Sequence, residues 1–195
     1  MNRNYVIAAI AVVALLLAGF LLSRNNNRKL PNGNMNQNTD NLTPIVSQTP
    51  LTGNPQVTLK TSKGDITIEM RPDVAPKTVA NFLTKFTNGY CEGKTFHRVE
   101  DWVVQGCDPL GNGTGGNDSL PTETSSESFL IGGVGVARKA NPKEISNDSQ
   151  FFIVKKDSQF LDGEYTYFGK VISGMDVVNK LAVGDKILSS TVLSK

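Results

Sequence analysis

Few side chains in this sequence could carry covalent or metal chemistry. It holds two cysteines, Cys91 and Cys107, and one histidine, His97. A closed zinc site takes four Cys or His ligands, so a site here would need an added carboxylate. A Ser-His-Asp hydrolase is compatible with the composition, but no G-x-S-x-G turn supports one. We therefore expect neither a metal nor a cofactor.

A glycine-rich segment, residues 106–116, is the one stretch that could cradle a phosphate. Five of its eleven residues are glycine. A phosphate-binding loop would end in G-K-[ST] and lead into a helix, and this segment does neither. We interpret it as a long loop between strands.

Hydrophobic periodicity places these residues in a β-rich domain over residues 55–195. Residues 56–61 and 66–70 alternate apolar and polar side chains around a turn, which predicts a hairpin. A helix is predicted from Pro76, with an apolar stripe at i, i+3, i+4 and i+7, to an Asn-Gly pair at 88–89.

Six further strands and one further helix follow from the same patterns. The strands are predicted at 95–99, 102–105, 131–137, 150–154, 167–172 and 186–193, and the helix at 175–181. Eight strands with no β-α-β alternation favour a mostly antiparallel barrel.

The first 54 residues differ in composition from the rest. Residues 5–22 carry no charge over 18 positions. At ~1.5 Å per residue they would span about 27 Å, close to the ~30 Å hydrocarbon core. We predict a transmembrane anchor over 1–22, with a cleaved signal peptide as the alternative. Residues 23–54 are rich in asparagine and proline and poor in apolar residues, which predicts a disordered tether.

The charge distribution bears on location and partners. Arg3 precedes the apolar segment, whereas Arg24, Arg28 and Lys29 follow it, which slightly favours a cytoplasmic C-terminal part. We nevertheless expect the domain to be extracytoplasmic on a single-pass anchor, because a short N-terminal anchor with a polar tether resembles that of exported proteins. Of the 20 basic and 18 acidic residues, 16 and 17 lie beyond residue 54. That near-neutral domain predicts no nucleic-acid partner.

Seven short segments occur in an order and spacing that match one family. They are FHR at 96–98, VVQG at 103–106, GTGG at 113–116, VAR at 136–138, SQFFI at 149–153, LDG at 161–163 and FGKV at 168–171. Together they resemble the cyclophilin family of peptidyl-prolyl cis-trans isomerases, in its shorter bacterial type. The resemblance implies a closed eight-stranded antiparallel barrel capped by two helices, which agrees with the strand count.

The implied activity is rotation about Xaa-Pro bonds of proline-containing polypeptides. The barrier, ~18–20 kcal/mol, comes from amide resonance, and no bond has to break. A donor to the prolyl nitrogen and an apolar pocket that favour the twisted amide are sufficient. We expect a monomer that assists protein folding.

The resemblance also implies roles for particular residues. Arg98, Gln105 and Phe152 would be catalytic, with the Arg98 guanidinium as the donor. Without the motif, Arg98 would be interpreted as a surface arginine and the apolar residues as barrel core. The substrate-binding residues would be Trp102, Val103, Ala137, Arg138, Gln150, Phe160, Leu161 and Tyr165.

Two departures from the family pattern stand out. Only three residues, rather than the usual four, separate Arg98 from the aromatic residue at 102, so this turn must be tighter. Cys107 replaces a usual glycine. In the predicted hairpin 95–99/102–105, the chain before residue 95, which holds Cys91, and the chain after residue 105, which holds Cys107, lie at the same end. A disulfide between Cys91 and Cys107 is therefore permitted, with two free thiols as the alternative. It would close a loop of about 17 residues and thereby raise the free energy of unfolding by ~3 kcal/mol.

A second function uses the same groove. A non-catalytic module could bind proline-bearing segments without catalysing their isomerisation. Positions 102 and 103 are usually Phe and Met in the family, and the Trp and Val found here leave that alternative open. The intact Arg98, Gln150 and Phe152 favour the enzyme.

Overall fold

The computed structural model describes residues 54–193, which form ten strands and two α-helices. The elements are β1 (Gln56–Thr61), β2 (Gly64–Met70), α1 (Pro76–Thr87), β3 (Phe96–Val99), β4 (Val103–Gly106), β5 (Asp118–Pro121), β6 (Gly133–Val136), β7 (Ile145–Asn147), β8 (Phe151–Val154), β9 (Tyr167–Ser173), α2 (Met175–Lys180) and β10 (Ile187–Leu193). A short 3-10 helix, Gln159–Leu161, lies between β8 and β9.

Eight strands form one antiparallel sheet in the order β10-β1-β2-β9-β6-β8-β4-β3. The expected number of strands and the antiparallel pairing are confirmed, but the expected closed barrel is wrong. The edge strands β3 and β10 share no ladder. They meet at their starts, through a bridge between Thr95 and Lys186 and a few backbone hydrogen bonds around it, such as that from Ile187 N–H to the Lys94 carbonyl at 2.9 Å. The sheet is therefore open, because β3 is four residues long and pairs along its length with β4 alone.

Helix α1 covers one side of the sheet. Proline begins it, and the carboxylate of Glu123 accepts hydrogen bonds from the backbone N–H groups of Lys77 and Thr78. These bonds satisfy donors that every helix leaves free in its first turn. On its buried face, Phe82 stacks on Phe168 with ring centroids 4.7 Å apart. The helix is thus fixed both at its start and along its apolar face.

Two apolar clusters lie on opposite faces of the sheet. Alternation along β8 sends Phe151 and Ile153 into the large core under the helices, and Phe152 and Val154 into a smaller cluster on the other face. The smaller cluster also contains Val103 and its partly buried neighbours, among them Trp102 and Tyr165. This second face is the one that forms the groove described below.

Strict alternation fails in β3. Phe96 is fully buried in the large core, so Arg98, two residues on, would be expected to face the same way. The ladder with β4 shifts register between these two residues, and Arg98 pairs with Gln105 on the groove side. A bulge at His97 thus turns Arg98 out of the core.

Two features were absent from the sequence prediction. One is the separate two-stranded sheet of β5 and β7, and the other is the 3-10 helix between β8 and β9. The proposed anchor and tether lie outside the described residues. Within 54–193, no helix is long and apolar enough to cross a membrane.

A disulfide joins Cys91, ahead of β3, to Cys107, directly after β4. Both residues are fully buried in the large core, and their Cα atoms are 5.0 Å apart. Cys107 has a φ of 65°, a left-handed conformation that is costly for any residue except glycine. This conformation explains why glycine is usual at this position.

Reduction of the disulfide should lower the free energy of unfolding by about 3 kcal/mol, because the unfolded chain regains the entropy of a loop closed at a separation of 16 residues. Urea unfolding of oxidised and reduced protein measures the change. Between two double variants, Cys91→Ala/Cys107→Gly should be more stable than Cys91→Ala/Cys107→Ala by about 1 kcal/mol, because only glycine tolerates the positive φ. Equal stability of the oxidised and reduced forms would contradict this prediction.

Candidate active site

A small apolar pocket opens on the groove face of the sheet. Its volume is about 90 Å³, a size that suits a single small ring. Its walls come from strands β3, β4 and β8, the turn between β3 and β4, the two residues directly after β6, and the 3-10 helix with the segment that follows it. The lining residues are Arg98, Trp102, Val103, Gln105, Ala137, Arg138, Phe152, Leu161 and Tyr165.

The base of the pocket is a packed aromatic cluster. Phe152 and Leu161 are each 5% exposed, so only a small part of either side chain faces the opening. Phe152 packs against Phe129 with ring centroids 5.6 Å apart, and Tyr165 approaches it edge-on at 5.8 Å. Such packing holds the Phe152 ring in one orientation.

Gly135 makes room for the Phe152 ring. A Cβ atom at this position in β6 would overlap the tip of that ring and lie 2.7 Å from Cε1 of Phe129. Sequence analysis did not single out Gly135, although a glycine inside a predicted strand is a known sign of close approach.

The Arg98 guanidinium lies at the rim of the pocket and makes directed contacts. Its Nε and Nη2 donate to the two carboxylate oxygens of Glu100 at 2.7 and 3.2 Å. Its Cζ lies 5.3 Å from the centre of the Trp102 ring, whose Nε1 donates to Glu100 at 2.9 Å. The hydrogen bonds from Arg98 hold the pKa of Glu100 below its usual range, so Glu100 is ionised at neutral pH.

A chain of hydrogen bonds leads from Arg98 into the protein. Nη1 of Arg98 donates to Oε1 of Gln105 at 3.4 Å, and Nε2 of Gln105 donates to Oε1 of Gln150 at 2.8 Å. Nε2 of Gln150 then donates to the carbonyl groups of Gly115, at 2.8 Å, and Gly113, at 3.2 Å. A guanidinium only donates and a carbonyl only accepts, so both amide groups have one allowed orientation.

A second cavity, of about 270 Å³, adjoins the pocket. Gln105, Ala137 and Arg138 line both cavities, whereas Gln150 and residues 113–116 line only the second. The Arg138 guanidinium lies 4.3 Å from the Tyr165 ring centre, where it closes one wall. The two cavities form a continuous groove that could hold several residues of an extended peptide.

The loop of residues 107–116 is fixed by Asp108 and Asn147, which sequence analysis did not single out. Asp108 is buried and accepts backbone N–H bonds from Leu110, Asn112 and Gly113. Burial alone would raise the pKa of Asp108, but these three donors outweigh it and lower the pKa. Asn147 donates to the carbonyl of Gly115 and accepts from the backbone N–H of Gln150. Neither residue belongs to a sequence pattern that would have revealed it.

The structure brings nine of the eleven residues of the predicted site together around the pocket. Gln150 lies in the adjoining cavity, and it is linked to the pocket through Gln105. Phe160 lines neither cavity; it is 67% exposed and packs edge-on against Trp102, with ring centroids 5.2 Å apart. The short turn after Arg98 therefore still places Trp102 at the pocket.

His97 does not line the pocket. Its ring lies against Gly113 of the loop, and within residues 54–193 neither ring nitrogen has a hydrogen-bond partner. Burial lowers the pKa of His97, so the ring is neutral at pH 7. In the same part of the chain no group of three His, Cys, Asp or Glu residues could hold a metal ion.

The site combines an apolar pocket of a size for a small ring, a guanidinium at its rim and two oriented amide groups beside it, which are features suited to a prolyl peptide. Comparison with known proteins identifies the family. The model of the cyclophilin-type peptidyl-prolyl cis-trans isomerases matches residues 56–193. The chain belongs to this family, and it is a peptidyl-prolyl cis-trans isomerase.

Relatives in sequence and in structure agree with this assignment. A probable peptidyl-prolyl cis-trans isomerase of Brucella suis is 40% identical over 161 residues, which cover 70% of this chain and 81% of the relative. A peptidyl-prolyl cis-trans isomerase of Dictyostelium discoideum is 43% identical over 129 residues, which cover 64% of this chain and 83% of the relative.

A solved structure shares the fold. The cyclophilin-type isomerase of Cryptosporidium parvum superposes with a TM-score of 0.68 at 29% identity, covering 73% of this chain and 99% of its own. A second structure of that protein was determined in the presence of the dipeptide Ala-Pro.

Replacement of Gln150 by glutamate should destabilise the fold by at least about 2 kcal/mol. The shape is kept, but a buried carboxylate oxygen would face the Gly113 and Gly115 carbonyl groups in place of a donor. Urea unfolding measures the loss. Gln159→Glu, at an exposed position, is the matched control and should change stability by less than about 0.5 kcal/mol. Equal effects of the two substitutions would contradict the directed chain.

Proposed function

We propose that Arg98, Gln105 and Phe152 carry the isomerisation. The proline ring would enter the small pocket and pack on Phe152, and the Arg98 guanidinium would donate to the prolyl nitrogen as the amide twists. Twisting removes the resonance that withdraws the nitrogen lone pair, so the nitrogen becomes a better acceptor in the transition state than in either planar isomer. A donor placed there therefore stabilises the transition state selectively.

The position of Arg98 at the rim of the pocket is the observation that carries this proposal. Its guanidinium is permanently charged and half-exposed, and it lines a cavity that combines an aromatic base with a cationic rim. Gln105 would accept a weak hydrogen bond from the guanidinium and bind the substrate backbone. No nucleophile is required, because no covalent bond changes.

We assign the other groove residues to holding the substrate. Val103, Leu161 and Tyr165 would surround the proline ring, with Trp102 at one wall and Phe160 extending that wall outward. The adjoining cavity would take the chain before the proline, where Gln150, Ala137 and Arg138 lie. This arrangement binds proline-containing polypeptides in extended form.

Replacement of Arg98 by alanine should lower kcat/KM for an Xaa-Pro peptide by about 100-fold or more, because one preorganised donor is worth that much in comparable sites. NMR exchange spectroscopy on a short peptide measures the rate, and titration measures binding, which should change only a few-fold. Lys170→Ala, at an exposed position of β9, is the control and should leave both the rate and the binding unchanged. If Arg98→Ala kept near-normal catalysis, the proposed role would be wrong.

We further propose that the isomerase domain works as a monomer outside the cytoplasm, held to the membrane by residues 1–22 through the tether at 23–54. The uncharged run of 18 residues supports an anchor. The Cys91–Cys107 disulfide supports an oxidising compartment, where such bonds persist. The long alignment with the Brucella protein supports the shorter bacterial type.

Protease treatment of intact cells tests the proposed location. The domain should be digested from outside while a cytoplasmic marker survives, and before treatment the full-length protein should sediment with membranes. Protection of the domain until the membrane is permeabilised would overturn the extracytoplasmic placement. Recovery of a shortened soluble form would replace the anchor by a cleaved signal peptide.

A further inference from the structure

Glu100 has a position in the site that the family pattern does not assign. It lies in the shortened turn between β3 and β4, where its backbone N–H donates to the Val103 carbonyl at 2.9 Å. Its carboxylate receives two hydrogen bonds from Arg98 and one from Trp102. One carboxylate therefore connects the guanidinium to an aromatic wall of the pocket.

The contacts of Glu100 determine which N–H groups of Arg98 remain free. A guanidinium has five N–H donors in a fixed plane. Glu100 takes the one on Nε and one on Nη2, and Gln105 takes one on Nη1. One N–H is left on each of Nη1 and Nη2, and these two donors remain free for a substrate.

Without Glu100, nothing else among the described residues would fix the rotation of the guanidinium. The bond from Arg98 to Gln105 is long, at 3.4 Å. The cation–π contact with Trp102 involves the whole guanidinium, so it does not determine which N–H groups point towards the substrate. Trp102 in turn holds the carboxylate, because its Nε1 donates to the same Glu100 oxygen that Nη2 of Arg98 contacts. The phenylalanine usual at this position could not make that bond.

We propose that Glu100 is a positioning residue for the isomerisation, which orients the Arg98 guanidinium at the pocket so that its two free N–H groups can reach the prolyl amide. This inference rests on the proposed role of Arg98. Glu100 itself does not touch the reacting amide. The shortened turn places the carboxylate beside the guanidinium, and Trp102 provides the donor that keeps it there.

The opposite effect of a carboxylate in this place is an outcome that the test must separate from positioning. Glu100 would then compete with the substrate for the guanidinium, and its removal would raise activity. The geometry favours positioning, because the carboxylate occupies the Nε edge and one N–H on each of Nη1 and Nη2 stays free. The sign of the change on mutation separates the two effects.

Kinetics of the full-length protein test the proposal. Glu100→Ala should lower kcat for an Xaa-Pro peptide about tenfold with little change in peptide binding, and Glu100→Gln should retain part of the activity because its amide oxygen still accepts one bond. Asp101→Asn is the matched control, since it removes a charge from the same turn and Asp101 makes no ion pair within residues 54–193. It should behave as the wild type.

A double variant determines whether Glu100 acts through Arg98. In the Arg98→Ala background, Glu100→Ala should cause no further loss of kcat, because the group to be oriented is gone. The chain has one tryptophan, so its fluorescence reports the third partner directly. The emission of Trp102 should shift in Glu100→Ala and not in Asp101→Asn.

The outcomes distinguish failure of this inference from failure of the proposed function. If Arg98→Ala abolishes catalysis but Glu100→Ala leaves kcat unchanged or raises it, positioning by Glu100 is wrong and Arg98 keeps its role. Additive losses in the double variant would likewise overturn action through Arg98. If Arg98→Ala leaves catalysis intact, the proposed function fails first.

Discussion

The site depends on one directed chain of hydrogen bonds, which begins at a group that only donates and ends at groups that only accept. Arg98 is the donor end, and the carbonyl groups of Gly113 and Gly115 are the acceptor end. Gln105 and Gln150 between them can point only one way, because each must accept from one side and donate to the other. Two amides that would otherwise be free to flip thus become fixed parts of the groove wall.

Most of the surrounding structure supports the ends of this chain. The bulge in β3 turns Arg98 away from the core, and Glu100 holds the guanidinium. At the other end, Asp108 and Asn147 tie down the loop that presents the two carbonyl groups. The disulfide fixes the start of that loop to the chain ahead of β3. The sheet itself supplies the pocket, because alternation along β8 places Phe152 opposite the core.

Regular periodicity made much of this molecule predictable from sequence. The hairpin, both helices and the eight strands of the main sheet follow from apolar spacing, and the resemblance named the pocket residues. The open edge between β3 and β10 was not predictable, because closure depends on where two strands end. Strands β5 and β7 are short and largely polar, so they have no periodic signal.

The residues missed in the site share one property. Gly135 acts by lacking a side chain, and Asp108 and Asn147 act by binding backbone groups of a loop that has no regular structure. Glu100 became relevant only when the geometry of the shortened turn was known. Sequence patterns report burial and repeats well, but they do not report which irregular segment a side chain will meet.

The central claim is that the orientation of the Arg98 guanidinium, and not its charge alone, drives isomerisation. Replacement of Arg98 by lysine tests this claim most directly, because lysine keeps the charge and loses the planar fork. The measurement is the catalysed exchange rate of an Xaa-Pro peptide by NMR, with peptide affinity determined on the same sample. We expect Arg98→Lys to lose at least about tenfold in kcat while still binding the peptide. Activity close to that of the wild type would contradict the account, since a charge near the pocket would then be sufficient.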